Sequence, residues 1–138
     1  MKMLSLSEAA AMFAETAVTM NPIKHHCLDE GFKILQDEAK RVIGTYDYGW
    51  PRLKPQTIAR KTSGDTPLLE TGDLRDSIER EVQNDAAYVG SNSEKALWHE
   101  FGTSRIPPRS FLGGAVAAKI DEIGELVGKK AHALLIKE

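Results

Sequence analysis

The chain has almost no cysteine, no long apolar run and little excess charge. Its one cysteine among 138 residues, Cys27, excludes an intrachain disulfide and so a secreted, disulfide-stapled fold. That residue reads as a small buried apolar side chain. No apolar stretch approaches the ~20 residues of a membrane-spanning helix, so no membrane partner is expected. Glu8 and Glu15 interrupt the stretch after Lys2, which argues against a signal peptide. A formal net charge of −2 argues against a surface built wholly to hold nucleic acid, and leaves local basic patches open. There is no internal repeat and no low-complexity tract.

The spacings of common catalytic and metal centres are missing too. His25 and His26 are adjacent, so on a helix they point ~100° apart. His99-Glu100 lacks the second histidine of the zinc-protease spacing, because position 103 is threonine. His132 stands alone near the end of the last helix, where a histidine suits the helix dipole. No Gly-x-Ser-x-Gly elbow and no phosphate loop occur, and nothing marks Cys27 as a nucleophile. The acid pairs Asp73/Asp76 and Asp121/Glu125 read as solvated helix faces. No catalytic, cofactor-binding or metal-ligating residue is assigned, no cofactor is expected, and the chain is read as a non-enzyme.

What is present is the composition of a folded domain: 41% hydrophobic and 28% charged residues. At this length one domain buries roughly two-thirds of its unfolded surface. Residues 1–44 read as helical. Ser7 caps a first helix with Ala10, Phe13, Ala17 and Met20 on one stripe, and Asn21-Pro22 starts a second. There Leu28, Phe32, Leu35, Ala39 and Val42 alternate at spacings of four and three, and Gly44 stops the helix.

Residues 45–67 form a long loop with Tyr46, Tyr48 and Trp50 set among glycines and prolines, and Pro55 opening a short helix through Lys61. A connection of that length is often functional or mobile. Its basic cluster of Arg52, Lys54, Arg60 and Lys61 reads as a solvated loop in preference to a docking loop that orders on assembly. Residues 68–112 carry a hairpin and a short helix. Ile78, Arg80 and Val82 alternate with Glu79, Glu81 and Gln83, Asn84-Asp85 turns, and Ala87–Gly90 returns. Asn92 or Ser93 caps a helix over 94–101 that ends at Gly102, and Pro107-Pro108 forces an extended arm. On that helix Phe101 reads as core, while Trp98 suits either the core or a subunit contact. From Phe111 onward the helical period returns, with Leu112, Val116, Ile120, Ile123, Val127 and Leu134 near one stripe, and residues 113–138 are read as the C-terminal helix. The expected class is α+β, with helices packed on one face of a small antiparallel β-sheet, a long C-terminal helix and a long mobile loop.

Several short blocks carry a resemblance. They are Trp50-x-x-Leu53-x-Pro55-x-Thr57-Ile58, Leu68-Leu69-x-Thr71-Gly72-x-Leu74-Arg75-x-Ser77-Ile78 and Val89-Gly90-Ser91-Asn92. The Trp98-His-Glu-Phe-Gly102 block and Ile106-Pro-x-Arg109-x-Phe111-Leu112 complete the set. In this order and spacing the chain resembles tail-completion and head–tail joining (neck) proteins of tailed bacteriophages and prophages, and the related virion-morphogenesis proteins of Mu-like phages. Where such proteins often carry a tyrosine-alanine pair before the aromatic-Glu-Phe-Gly block, this chain has Glu94-Lys95-Ala96.

The resemblance implies a non-enzymatic structural subunit of the virion neck or tail, assembled in the host bacterial cytoplasm. It implies a homo-oligomeric ring, commonly hexameric, around the channel through which DNA passes without sequence-specific binding. Head connector or stopper proteins and tail-tube or tail-terminator proteins are the implied partners. A tail terminator capping the tube is the alternative, and a small nucleic-acid-binding protein a more distant one. On this reading Trp50, Trp98, Arg105, Pro107, Pro108 and Arg109 are candidates for contacting neighbours. Leu74, Ile78, Val89, Phe101, Phe111 and Leu112 are candidates for holding the fold.

Overall fold

The computed structural model describes residues 21–83 and 86–136. The expected helix over 7–20, the Asn84-Asp85 turn and the readings of Leu134 and His132 lie outside the described residues and side chains.

Helix α1 spans Asn21–Val42. Its four-three stripe is the buried side: Leu28, Leu35, Ala39 and Val42 are in the core, and Phe32 packs against it. Cys27 is buried beside them, and burial pushes its thiol pKa up. Strand β1 (Ile78–Gln83) pairs antiparallel with β2 (Ala86–Ser91) in a two-stranded sheet. Cross-strand register places Ile78 opposite Ser91, Arg80 opposite Val89 and Val82 opposite Ala87 on the side facing α1. The other side carries Glu79, Glu81 and Gln83, all exposed, with Tyr88 opposite Glu81.

An isolated two-stranded hairpin is marginal in water, and here α1 supports it. Gln36 Nε2 donates to the Ile78 carbonyl at 2.9 Å. Arg80 donates to Asp29 Oδ1 at 2.9 Å and to Gln36 Oε1 at 2.5 Å.

The last helix, here α5, spans Leu112–Ile136 and lies along α1. Glu30 and Lys130 form an ion pair between the two. Among its described side chains, Ala115 and Ile123 are buried, following Phe111 and continued by the partly buried Val127. Of the expected stripe, Ile123 is buried and Leu112 and Val127 pack partly buried against the core, while Val116 faces solvent. Small side chains, rather than the largest ones, face the core near the helix start. At Gly114 an added Cβ would lie 2.7 Å from the Tyr48 ring, so only glycine lets α5 seat on that aromatic.

The remaining helices are short: α2 (Pro55–Arg60), α3 (Asp73–Asp76) and α4 (Glu94–Phe101). Helices on a small antiparallel sheet with a long final helix make the fold α+β. Leu74, Ile78 and Phe111 are buried, and Val89 and Leu112 pack partly buried against that core. Phe101 is not core: it is 74% exposed.

The segment over 45–67 is held at many points. The Gly44 amide donates to the Pro67 carbonyl at 2.8 Å, closing its base. Tyr46 Oη donates to Asp65 Oδ1 at 2.5 Å and accepts from the Leu53 amide at 3.1 Å. The Arg52 guanidinium sits 4.3 Å from the Tyr46 ring centre. Tyr48 meets Trp50 edge to face at 5.8 Å, and its hydroxyl donates to Glu38 Oε2 at 2.5 Å. Arg41 also donates to both Glu38 oxygens, at 2.7 and 2.8 Å. The Arg41 bonds, then that of Tyr48, hold the buried Glu38 carboxyl at a pKa of about 2 against the upward push of burial.

Candidate functional site

The stretch from Ala96 to Leu112 folds back on itself. Ser93 caps α4 by accepting from the Lys95 amide at 3.3 Å. Gly102 ends the helix at φ +76, and a Cβ there would lie 2.8 Å from the Pro108 nitrogen. Only glycine fits that turn. The Thr103 amide then donates to the Ile106 carbonyl at 2.9 Å, and the Arg109 amide to the His99 carbonyl at 2.7 Å. The arm thus returns alongside the helix it left.

Glu100 fastens this bracket to the next helix. Its carboxylate accepts from the amides of Leu112 at 2.9 Å and Gly113 at 2.8 Å, and from Ser110 Oγ at 2.5 Å. The first amides of α5 have no partner within their own helix, and a carboxylate from another element satisfies two of them. Negative charge there also complements the helix dipole. Arg109 ties the bracket to the preceding loop: Nη2 and Nε donate to the Pro51 carbonyl at 2.7 and 3.1 Å.

These bonds decide which way α4 faces. Ala96 and Glu100, four apart, turn inward, and Ala96 is the buried residue of the helix. Leu97, Trp98 and Phe101 then occupy the outer arc, at 62%, 44% and 74% exposure. A helix that presents its large apolar residues to solvent and its carboxylate to the interior is the reverse of ordinary patterning. Large apolar side chains are thereby left in water on one arc of the helix.

Beside it lies an open cleft of about 630 Å³ between α2, the Leu68–Leu74 stretch, α4 and the returning arm. Seven of its lining residues are lysine or arginine and two are acidic. Arg52 pairs with Asp65 at 3.7 Å, and Lys61 with Glu70 at 3.5 Å. Lys54, Arg60, Lys95 and Arg105 have no carboxylate partner among the described residues. His99 also lines the cleft. Its Nδ1 is buried without a hydrogen-bond partner among the described residues, and burial, then the charges of Arg109, Lys61 and Lys95, lower its pKa. The imidazole is therefore neutral near pH 7.

The residues expected to contact neighbours divide. Trp98, Arg105, Pro107 and Pro108 are on the surface, and Trp98 and Arg105 both line the cleft. Trp50 and Arg109 are corrected: they are 8% and 5% exposed. Trp50 packs in the core against Tyr48, and the buried Arg109 guanidinium is occupied by the Pro51 carbonyl, as a buried donor must be. Phe101, expected inside, belongs with the outer face. Sequence reasoning did not single out Glu38 or Glu100. Glu100 stands inside the Trp98–Gly102 block, but its partners are ten to thirteen residues on, beyond any local capping pattern.

Among the described residues no group of three or more His, Cys, Asp or Glu side chains is placed to hold a metal ion. None of the described helices is long and apolar enough to cross a membrane. His26 pairs with Glu30 at 2.7 Å on an exposed turn.

Searches of curated proteins and of solved structures returned no match. The phage virion morphogenesis family does match, over residues 47–130, which is more than half of the chain. The matched stretch holds the tied loop, the hairpin, the bracket and the first three-quarters of α5. By that match the chain belongs to the phage virion morphogenesis family and is a phage structural or assembly protein.

Proposed function

We propose that the protein is a non-catalytic structural subunit of the head–tail neck or tail-completion ring, built around the channel through which DNA leaves the capsid. The observation that carries this reading is the outward Leu97, Trp98 and Phe101 face on a helix fixed from behind. Aromatic side chains held rigid and desolvated on contact are what an assembly interface uses. Arg105, Pro107 and Pro108 extend that surface along the returning arm. In this reading copies of the chain associate into a ring, a hexamer being the expected size, and the ring joins a head connector or stopper to the tail tube.

Light scattering and negative-stain imaging test it, with the protein alone and with connector and tail-tube partners. Closed rings, alone or on the connector, are the expected result. Monomers under all three conditions would sink the ring reading. Rings that bind the tube and not the connector would move the protein to the position of a tail terminator.

A further inference from the structure

We propose that the basic cleft receives the outer face of the hairpin of a second copy, so that copies join head to tail; this rests on reading the chain as a self-assembling subunit. Charge is segregated on this molecule. The cleft holds seven of the 18 lysines and arginines and two of the 20 acids, in a chain whose formal net charge is −2. Among the described residues outside the cleft, nine cations stand against fourteen acids, so the remainder is acidic. A basic hollow and acidic surface elsewhere on the same chain are complementary to each other.

The hairpin is the acidic element that fits best. Glu79 and Glu81 stand on the exposed side of β1, and Tyr88, 56% exposed, stands directly across from Glu81. No layer covers this side among the described residues, since α1 packs on the other. Glu81 accepts from Gln83 Nε2 at 2.6 Å, and neither glutamate has a cation partner among the described residues. The competing acids of α5 are partly satisfied, because Glu122 already pairs with Lys119 at 3.1 Å.

In the cleft, Lys54, Arg60, Lys95 and Arg105 wait without carboxylates, and Trp98 offers its ring to Tyr88. No described residue of the hairpin lines the cleft of its own chain. Two different patches meeting make a heterologous contact, which closes into a ring when the rotation between copies permits.

The test is a charge swap on the full chain. One variant carries Lys54→Glu with Arg105→Glu, the other Glu79→Lys with Glu81→Lys. All four positions are exposed, so circular dichroism and melting should match the parent. Association is read by native mass spectrometry and light scattering at low and at 0.5 M salt, above the ~0.1 M at which the screening length is ~10 Å.

Expected are assembly of the parent that weakens with salt, and loss of association by at least about ten-fold for each variant alone. An equimolar mixture should reassemble, because each reversed patch then meets its opposite. If both variants assemble like the parent, the docking proposal is overturned while the ring reading stands. A parent that stays monomeric overturns the docking proposal, and the ring reading falls with it only if the chain also stays monomeric with the connector and tail-tube partners. If the mixture does not reassemble, or if the cleft variant loses salt-dependent binding to a DNA fragment while assembling normally, the cleft has another occupant and the proposal is wrong.

Discussion

The two sides of α4 differ in everything except sequence position. Inward, Ala96 is enclosed, the His99 carbonyl accepts from Arg109, and Glu100 holds the start of α5. Outward, Leu97, Trp98 and Phe101 have much of their apolar surface in water. The inner side is polar yet structural, and the outer side is apolar yet unused by the monomer. Hydrophobicity alone therefore misassigns this helix. What sorts the two sides is whether backbone groups elsewhere depend on them.

Four substitutions would break or sharpen that contrast. Removing the inner anchor has the largest expected effect: Phe111→Ala should cost about 3–5 kcal/mol, since the ring is fully buried. Urea unfolding reads this as a lower midpoint, and an unchanged midpoint would contradict the packing described.

Next comes Glu38, whose role depends on pH. Its folded pKa of about 2 lies below the ordinary 4.5, so its contribution is complete above about pH 4.5 and is lost as pH falls toward 2. Glu38→Gln should remove about 1.5–3 kcal/mol at neutral pH. It should also flatten the parent's loss of stability across that acid window, as followed by unfolding at pH 6, 3.5 and 2.5.

Glu100→Ala should cost about 0.5–2 kcal/mol, the worth of a lost helix cap. Amide exchange should quicken first at Leu112 and Gly113, and protection kept at both would argue that the carboxylate is not their partner. Phe101→Ala is the smallest on stability, within about 0.5 kcal/mol in the monomer. Its predicted effect is on association, so a large loss of folding stability would return Phe101 to the core.

Much of the architecture is readable from local pattern. The α1 stripe, the period-two strand, the Pro55 helix start, the Ser93 cap and the Gly102 stop each rest on neighbours within a few residues. The errors share one cause. Residue type, aromatic or cationic, misplaces Trp50, Phe101 and Arg109 because it does not say which backbone groups need a partner. Arg109 can sit inside because its guanidinium finds an acceptor in the Pro51 carbonyl, 58 residues away in sequence. Phe101 is outside because Glu100 is drawn the opposite way. Long-range demands of that kind leave no periodic trace.

The Glu100 carboxylate also has a mechanical consequence. Helix α5 is 25 residues long, about 37 Å at 1.5 Å per residue, and it lies along α1. Because its first turn is tethered to α4 by that carboxylate, a load applied at Trp98 passes through it, as well as along the returning arm, into the longest of the described helices. A neighbour that grips α4 thus pulls on the frame of the protein, where a grip on a free loop would merely stretch slack.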